Sequence, residues 1–133
     1  MSSFINPLLD WPAGELRLRN TRDGTTVATT VETALDSASR RRGLLGRDTM
    51  PEGSSLVIGP CNAVHTARMR FPIDVLFVAR SGRVAKVRED LKPWRIAFAL
   101  AAAVTVELPA GTVARTGVRQ GDVLAFERGE PKG

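Results

Sequence analysis

Cys61 and His65 are the one cysteine and the one histidine of the chain. They stand four residues apart in CNAVHTARMRFPIDVLFVA, residues 61–79. A thiol beside an imidazole offers a nucleophile and a base, provided the two come within hydrogen-bond reach. Extended backbone separates residues four apart by about 13 Å, whereas a helix brings them to about 6 Å. Pro60, Val64 and Thr66 oppose a helix, so a dyad here needs a sharp loop. A tetrahedral metal site is two ligands short with this pair alone. Asp74, Glu107 and Asp122 could supply carboxylates, but no spacing ties them to the pair. The chain has no phosphate-cradling glycine loop and no Gly-x-Ser-x-Gly elbow. The expectation is therefore no metal, no cofactor and no assigned catalytic residue. A hydrolase-like enzyme using Cys61 or His65 stands as the alternative.

Alternation supplies a blander role for both residues. Taken as one extended segment, residues 61–77 put Cys61, Ala63, His65, Ala67, Met69, Phe71, Ile73, Val75 and Phe77 on one face. Apart from His65 that face is apolar, so Cys61 and His65 are expected in the core. Pro72 is the place where a bulge would flip the parity downstream. Beyond it the run is apolar on both parities, as in a strand covered on both sides. Asp74 opens the second face. A buried carboxylate needs donors, and Arg42 is the expected partner.

The elements that position these residues are short. Residues 15–19, ELRLR, alternate like a half-exposed strand. Asp23-Gly24 turns the chain, and residues 25–33 suit the returning strand. Asp36 caps a short helix through residue 42, Gly43 weakens its interior, and Gly46 ends it. Further strands are expected at 55–58, through 71–79, at 83–88 after a Ser81-Gly82 turn, at 103–108 and at 122–127. Residues 91–94 read as loop, residues 112–116 as one helical turn, and 129–133 as a frayed tail. About seven short strands with turn signals between them point to a sandwich or barrel. The fold class is mostly β: a small antiparallel β-sandwich or barrel with one short α-helix. One domain is expected over residues 1–133.

Composition narrows the classes further. One cysteine excludes an internal disulfide. The start, MSSFINPLLDWPAGE, has no basic n-region, and no apolar run approaches the ~20 residues of a membrane span. The expectation is a soluble, cytoplasmic, bacterial-type protein. Net charge is +5 and the pI about 10.6, which invites an anionic partner. The cations are spread, however, and cluster only at Arg40-Arg41-Arg42. With no tyrosine and few aromatic residues, stacking platforms for bases are poorly supplied. Nucleic-acid binding ranks third, and the arginine cluster reads as a solvated face.

An ordered series of segments carries a resemblance. SRRRGLLGR at 39–47 is followed by GPCNAVHTARMRFPIDVLFV, a Gly-Arg-Val turn, LKPWR, VELPAG and GVRQGDVL. The series resembles domain-of-unknown-function family 192 over about residues 25–127. The resemblance implies a compact, jelly-roll-like β-sandwich and supplies no activity. It marks Arg42, Gly43, Leu44, Arg47, Met69, Pro72, Ile73, Asp74, Glu107, Pro109, Gly111, Gly121 and Asp122. The chain departs from the usual Trp-Met-Lys-Asn-Thr-like run and is similar to a branch carrying Cys and His instead. The preferred function is a non-enzymatic ligand-binding or accessory module for a small molecule or protein partner. Its candidate site is Arg42, Cys61, His65, Thr66, Arg70 and Asp74.

Overall fold

The structure, a computed structural model, describes residues 3–129. The tail expected to fray lies outside the described residues from position 130 onward. In chain order the elements are α1 (Asn6–Asp10), β1 (Leu16–Asn20), β2 (Thr26–Ala28), β3 (Thr30–Ala34), α2 (Ser37–Arg42), β4 (Ser54–Ile58) and β5 (Ala63–His65). They continue with β6 (Ile73–Val78), β7 (Val84–Leu91), β8 (Ile96–Phe98), β9 (Val104–Pro109), α3 (Thr112–Thr116) and β10 (Leu124–Arg128). A three-stranded sheet runs β10-β1-β2, a five-stranded sheet β3-β4-β9-β6-β7, and a ribbon pairs β5 with β8. All pairs are antiparallel except β3 with β4.

The five-stranded sheet is the middle layer, with a core on each face. Leu16, Leu18 and Val27 of the three-stranded sheet meet Leu76, Val78, Val106 and Leu108 on one side. On the other, Leu56, Ile58, Ile73, Val75 and Phe77 pack with Leu44, Val64, Met69 and Ala97. This explains why β6 is apolar on both parities: all six of its residues are buried. The hairpin into β7 turns at Ser81-Gly82. Gly82 has φ +95°, and a Cβ there would lie 2.6 Å from the Leu124 carbonyl oxygen, so only glycine fits without a shift.

Several boundaries differ from expectation: β7 runs on to Leu91, which corrects its end at residue 88 and the loop reading of residue 91, and two further differences have a clear local cause. The strand expected over residues 25–33 is split at Thr29, whose N–H donates to Gly53 O, and its second half joins the other sheet beside β4. Helix α2 begins as expected, with Asp36 accepting from the Ser39 amide at 2.8 Å, but it ends at Gly43, not Gly46. Gly43, at φ 45°, is the C-cap, and its N–H donates to Ser39 O.

Asp122 closes the three-stranded sheet against the turn before β10. Its carboxylate accepts from Asn20 Nδ2 at 2.8 Å, Arg22 Nε at 2.7 Å and the Arg119 amide at 2.9 Å. The Arg22 hydrogen bond, foremost, holds the Asp122 carboxyl down at about 2. A depressed carboxyl stabilises the fold above its unfolded value near 3.8 and loses that contribution as pH falls toward 2. Asp122→Asn is expected to cost about 2 kcal/mol at pH 7. Urea titrations should show the gap to the parent chain closing between about pH 4 and pH 2.

Candidate functional site

A pocket of about 460 Å³ opens between α2 and β5. Helix α2 is placed over it by Arg40, whose guanidinium donates to Leu35 O at 2.9 Å and Gly59 O at 3.3 Å. Arg40 is therefore a structural tie, which corrects its reading as part of a solvated face. Arg41 and Arg42, exposed on the pocket side, have no ion-pair partner among the described residues. Leu44, Ile58, Val64 and Met69 give the walls an apolar lining, with Cys61 and His65 at the β5 side.

Glu107 also lines this pocket. It sits on β9 in the middle of the five-stranded sheet, opposite Leu56 of β4 and Val75 of β6. Val104, Val106 and Leu108 face the first core, so alternation turns Glu107 to the pocket side. The residue is 5% exposed, and its Oε2 has no hydrogen-bond partner among the described residues. Burial pushes its carboxyl up to about 7, against a smaller opposing pull from Arg47, which itself pairs with Glu32 at 2.8 Å. The resemblance marks Glu107, but no spacing ties it to Cys61 and His65, and its burial follows only once both faces of the sheet are known to be covered.

The candidate residues from the sequence divide. Arg42, Cys61 and His65 come together at the pocket. Thr66 does not join them. It is fully buried, donates from Oγ1 to Lys92 O at 2.6 Å, and accepts from the Arg95 amide at 2.8 Å. Arg70 points to solvent and pairs with Asp48. Asp74 is buried as expected, but its donors are backbone amides, Asp90 N–H and Val113 N–H, each at 2.8 Å. The expected Arg42 partner is thus replaced by main chain.

The register expected for Cys61 and His65 is also corrected. Residues 61–77 are not one extended segment. Strand β5 stops at His65, and the chain turns through Arg68 at φ 64° before β6. Within β5 the inward residue is Val64, while His65 is exposed and Cys61 half-buried. The Cys61 thiol donates to Ala63 O at 3.0 Å, a local bond that leaves the imidazole aside. Iodoacetamide is expected to alkylate Cys61 in the folded protein, with His65→Ala changing the rate by no more than about twofold. A loss of roughly tenfold in that variant would instead reveal a thiol activated by the imidazole. Among the described residues, no group of three or more His, Cys, Asp or Glu side chains is arranged to hold a metal ion.

The family model DUF192, described as "Uncharacterized ACR, COG1430", matches residues 18–126. The chain belongs to this family. A solved structure from Sinorhizobium meliloti 1021, described as a "putative transcription regulator", is 30% identical. The match covers 84% of this chain and 91% of that one, with a TM-score of 0.74. A second, from Novosphingobium aromaticivorans DSM 12444, is described as a protein of unknown function. It is 21% identical over 82% of this chain and 81% of that one, with a TM-score of 0.71, and shares the fold. The search of curated proteins finds no match. Among the DUF192 positions singled out by resemblance, Arg42, Gly43, Leu44, Met69 and Glu107 line the pocket from α2 and its C-cap, the turn after β5, and β9.

Proposed function

We propose that this DUF192 chain is a small-molecule-binding module whose site is the pocket between α2 and β5. The ligand is an organic anion that also carries a hydroxyl group. The observation that carries the reading is Glu107: a buried carboxyl with an unpartnered oxygen, lining a cavity of ligand size. Arg41 and Arg42, without an ion-pair partner among the described residues, offer guanidinium groups to a carboxylate or phosphate. A hydroxyl both donates and accepts, so it satisfies Glu107 whether or not the carboxyl holds its proton.

Calorimetry with glycerol 3-phosphate, glycerate, inorganic phosphate and glycerol tests the reading. The two hydroxylated anions are expected to bind more tightly than phosphate or glycerol, each of which offers half of the recognition. Arg41→Gln with Arg42→Gln should weaken both by roughly tenfold or more. Glu107→Gln should weaken them while leaving phosphate unchanged. Equal or absent binding of all four compounds would remove this assignment.

The nucleic-acid reading draws on the net charge of +5 and on the description of the S. meliloti relative. Much of the positive charge is already engaged: Arg19, Arg22, Arg47, Arg70, Arg115 and Arg128 stand in ion pairs. The pocket with its orphaned carboxyl favours the small-molecule reading.

A further inference from the structure

The β5–β8 ribbon covers the second core through Val64 and Ala97. Its other face is apolar too. Ile96 and Phe98 of β8 point outward, and Trp94, in the bend before the strand at φ 64°, and Leu100, in the turn after it, are exposed as well. Their exposures are 75%, 54%, 65% and 85%. Four of the eight large exposed apolar residues among those described thus fall within seven positions. Single exposed apolar residues are ordinary, but a contiguous group marks an interaction surface.

Cations ring this group. Lys86 Nζ donates to Phe98 O at 2.8 Å and lies 5.4 Å from the Phe98 ring centre. Arg95 lies between Trp94 and Ile96, its guanidinium near the Pro93 and Trp94 carbonyls. Arg68 is exposed in the turn that follows β5, and the Trp94 amide donates to Thr66 O at the start of that turn. No Asp or Glu occurs between Lys92 and Val106. The carboxylate just before this stretch, Asp90, is paired with Lys92 at 2.7 Å.

We propose that this face docks on an anionic lipid surface, with Trp94, Ile96, Phe98 and Leu100 entering the interface and Lys86, Arg95 and Arg68 meeting lipid phosphates. Apolar side chains bordered by long cations suit this surface, because the stems lie along the apolar region while the charges stay at headgroup level. A second copy of the chain would bring the same cations together. Bases of a nucleic acid stack on rings, yet the two most exposed residues are the aliphatic Ile96 and Leu100, and the Phe98 ring already has Lys86 beside it. Docking is peripheral: no helix among the described residues is long and apolar enough to cross a membrane.

Vesicle co-sedimentation of the full chain tests this, with phosphatidylcholine alone and with phosphatidylglycerol added. Binding to the anionic vesicles is expected to be at least roughly tenfold stronger and to fall with salt. In a Trp11→Phe background, Trp94 fluorescence should shift to the blue on anionic vesicles alone. Ile96→Ser with Leu100→Ser should abolish both signals without lowering the melting temperature, since both side chains are already in water. Equal binding to the two vesicle types, or none, overturns the proposal. So does a Trp94 shift produced only by self-association, by an oligonucleotide or by an acidic peptide.

Discussion

Glu107→Gln is expected to stabilise the protein at pH 8 by about 3 kcal/mol and to change little near pH 4. The carboxyl lies under the pocket at 5% exposure, and burial moves it from an ordinary value of 4.5 to about 7. Between those values the folded chain holds a proton that the unfolded chain has released. Stability therefore falls as pH rises from about 4.5 to 7, and above 7 the folded protein carries the full cost of a buried carboxylate. A span of about 2.5 pH units, at roughly 1.4 kcal/mol each, sets the size. Glutamine has nearly the same shape and no titration, so its stability curve should stay level across this window. Arg41, Arg42, His65 and Cys61 face the same pocket, and Arg47 lies near enough to pull the value down. None of them alters between the two chains, so the difference isolates Glu107. Urea unfolding at pH 4.5, 6, 7 and 8 measures it. Curves that stay parallel would show that Glu107 has a partner for its charge and would remove the main support for the pocket as a binding site.

The fate of Glu107 shows what local sequence can and cannot carry. Strands and turns were legible wherever the cause was local: alternation in β1, the two-faced apolar run of β6, the Ser81-Gly82 turn and the Asp36 cap. The mostly β sandwich followed from these. Features set by which element packs where were not legible. Strand β8 lies in an alanine-rich run whose inward residue is Ala97, so the outward Ile96 and Phe98 invert the usual pattern. Thr29 diverts β3 into the other sheet through a bond with Gly53, a residue 24 positions away. Simple alternation turns Cys61 and His65 inward by counting apolar Ala63 and Ala67 as core, whereas in β5 it is Val64 that fills the space. Arg42, Cys61 and His65 line one pocket, yet the carboxylate that lies beneath it comes from a strand more than forty residues beyond Cys61 and His65.

Asp74→Ala is expected to cost about 3 kcal/mol, through two orphaned amides. At 1% exposure, Asp74 heads the strand face that continues with Leu76 and Val78. One of its oxygens holds the Asp90 amide, where β7 carries a residue at φ 50°, and the other holds the Val113 amide in the first turn of α3. A single carboxylate thus ties the ends of β6, β7 and α3 together. Alanine removes both acceptors and leaves the buried Val113 N–H and the part-buried Asp90 N–H without a partner, an unsatisfied buried donor costing roughly 1–3 kcal/mol and a part-buried one less. Asparagine keeps one carbonyl oxygen but turns an NH₂ toward the second amide, so Asp74→Asn should fall between the parent and alanine. Arg42→Ala should shift stability by less than about 0.5 kcal/mol, because the exposed Arg42 side chain makes no bond to Asp74. This ordering separates backbone anchoring from the ion pair that the residue types alone suggested. With a buried Arg42–Asp74 pair, removing either partner would cost several kcal/mol and the two losses would be alike. Urea unfolding of the three variants at pH 7 decides it. A loss below about 1 kcal/mol in Asp74→Ala would mean that the two amides find other acceptors and that Asp74 anchors nothing.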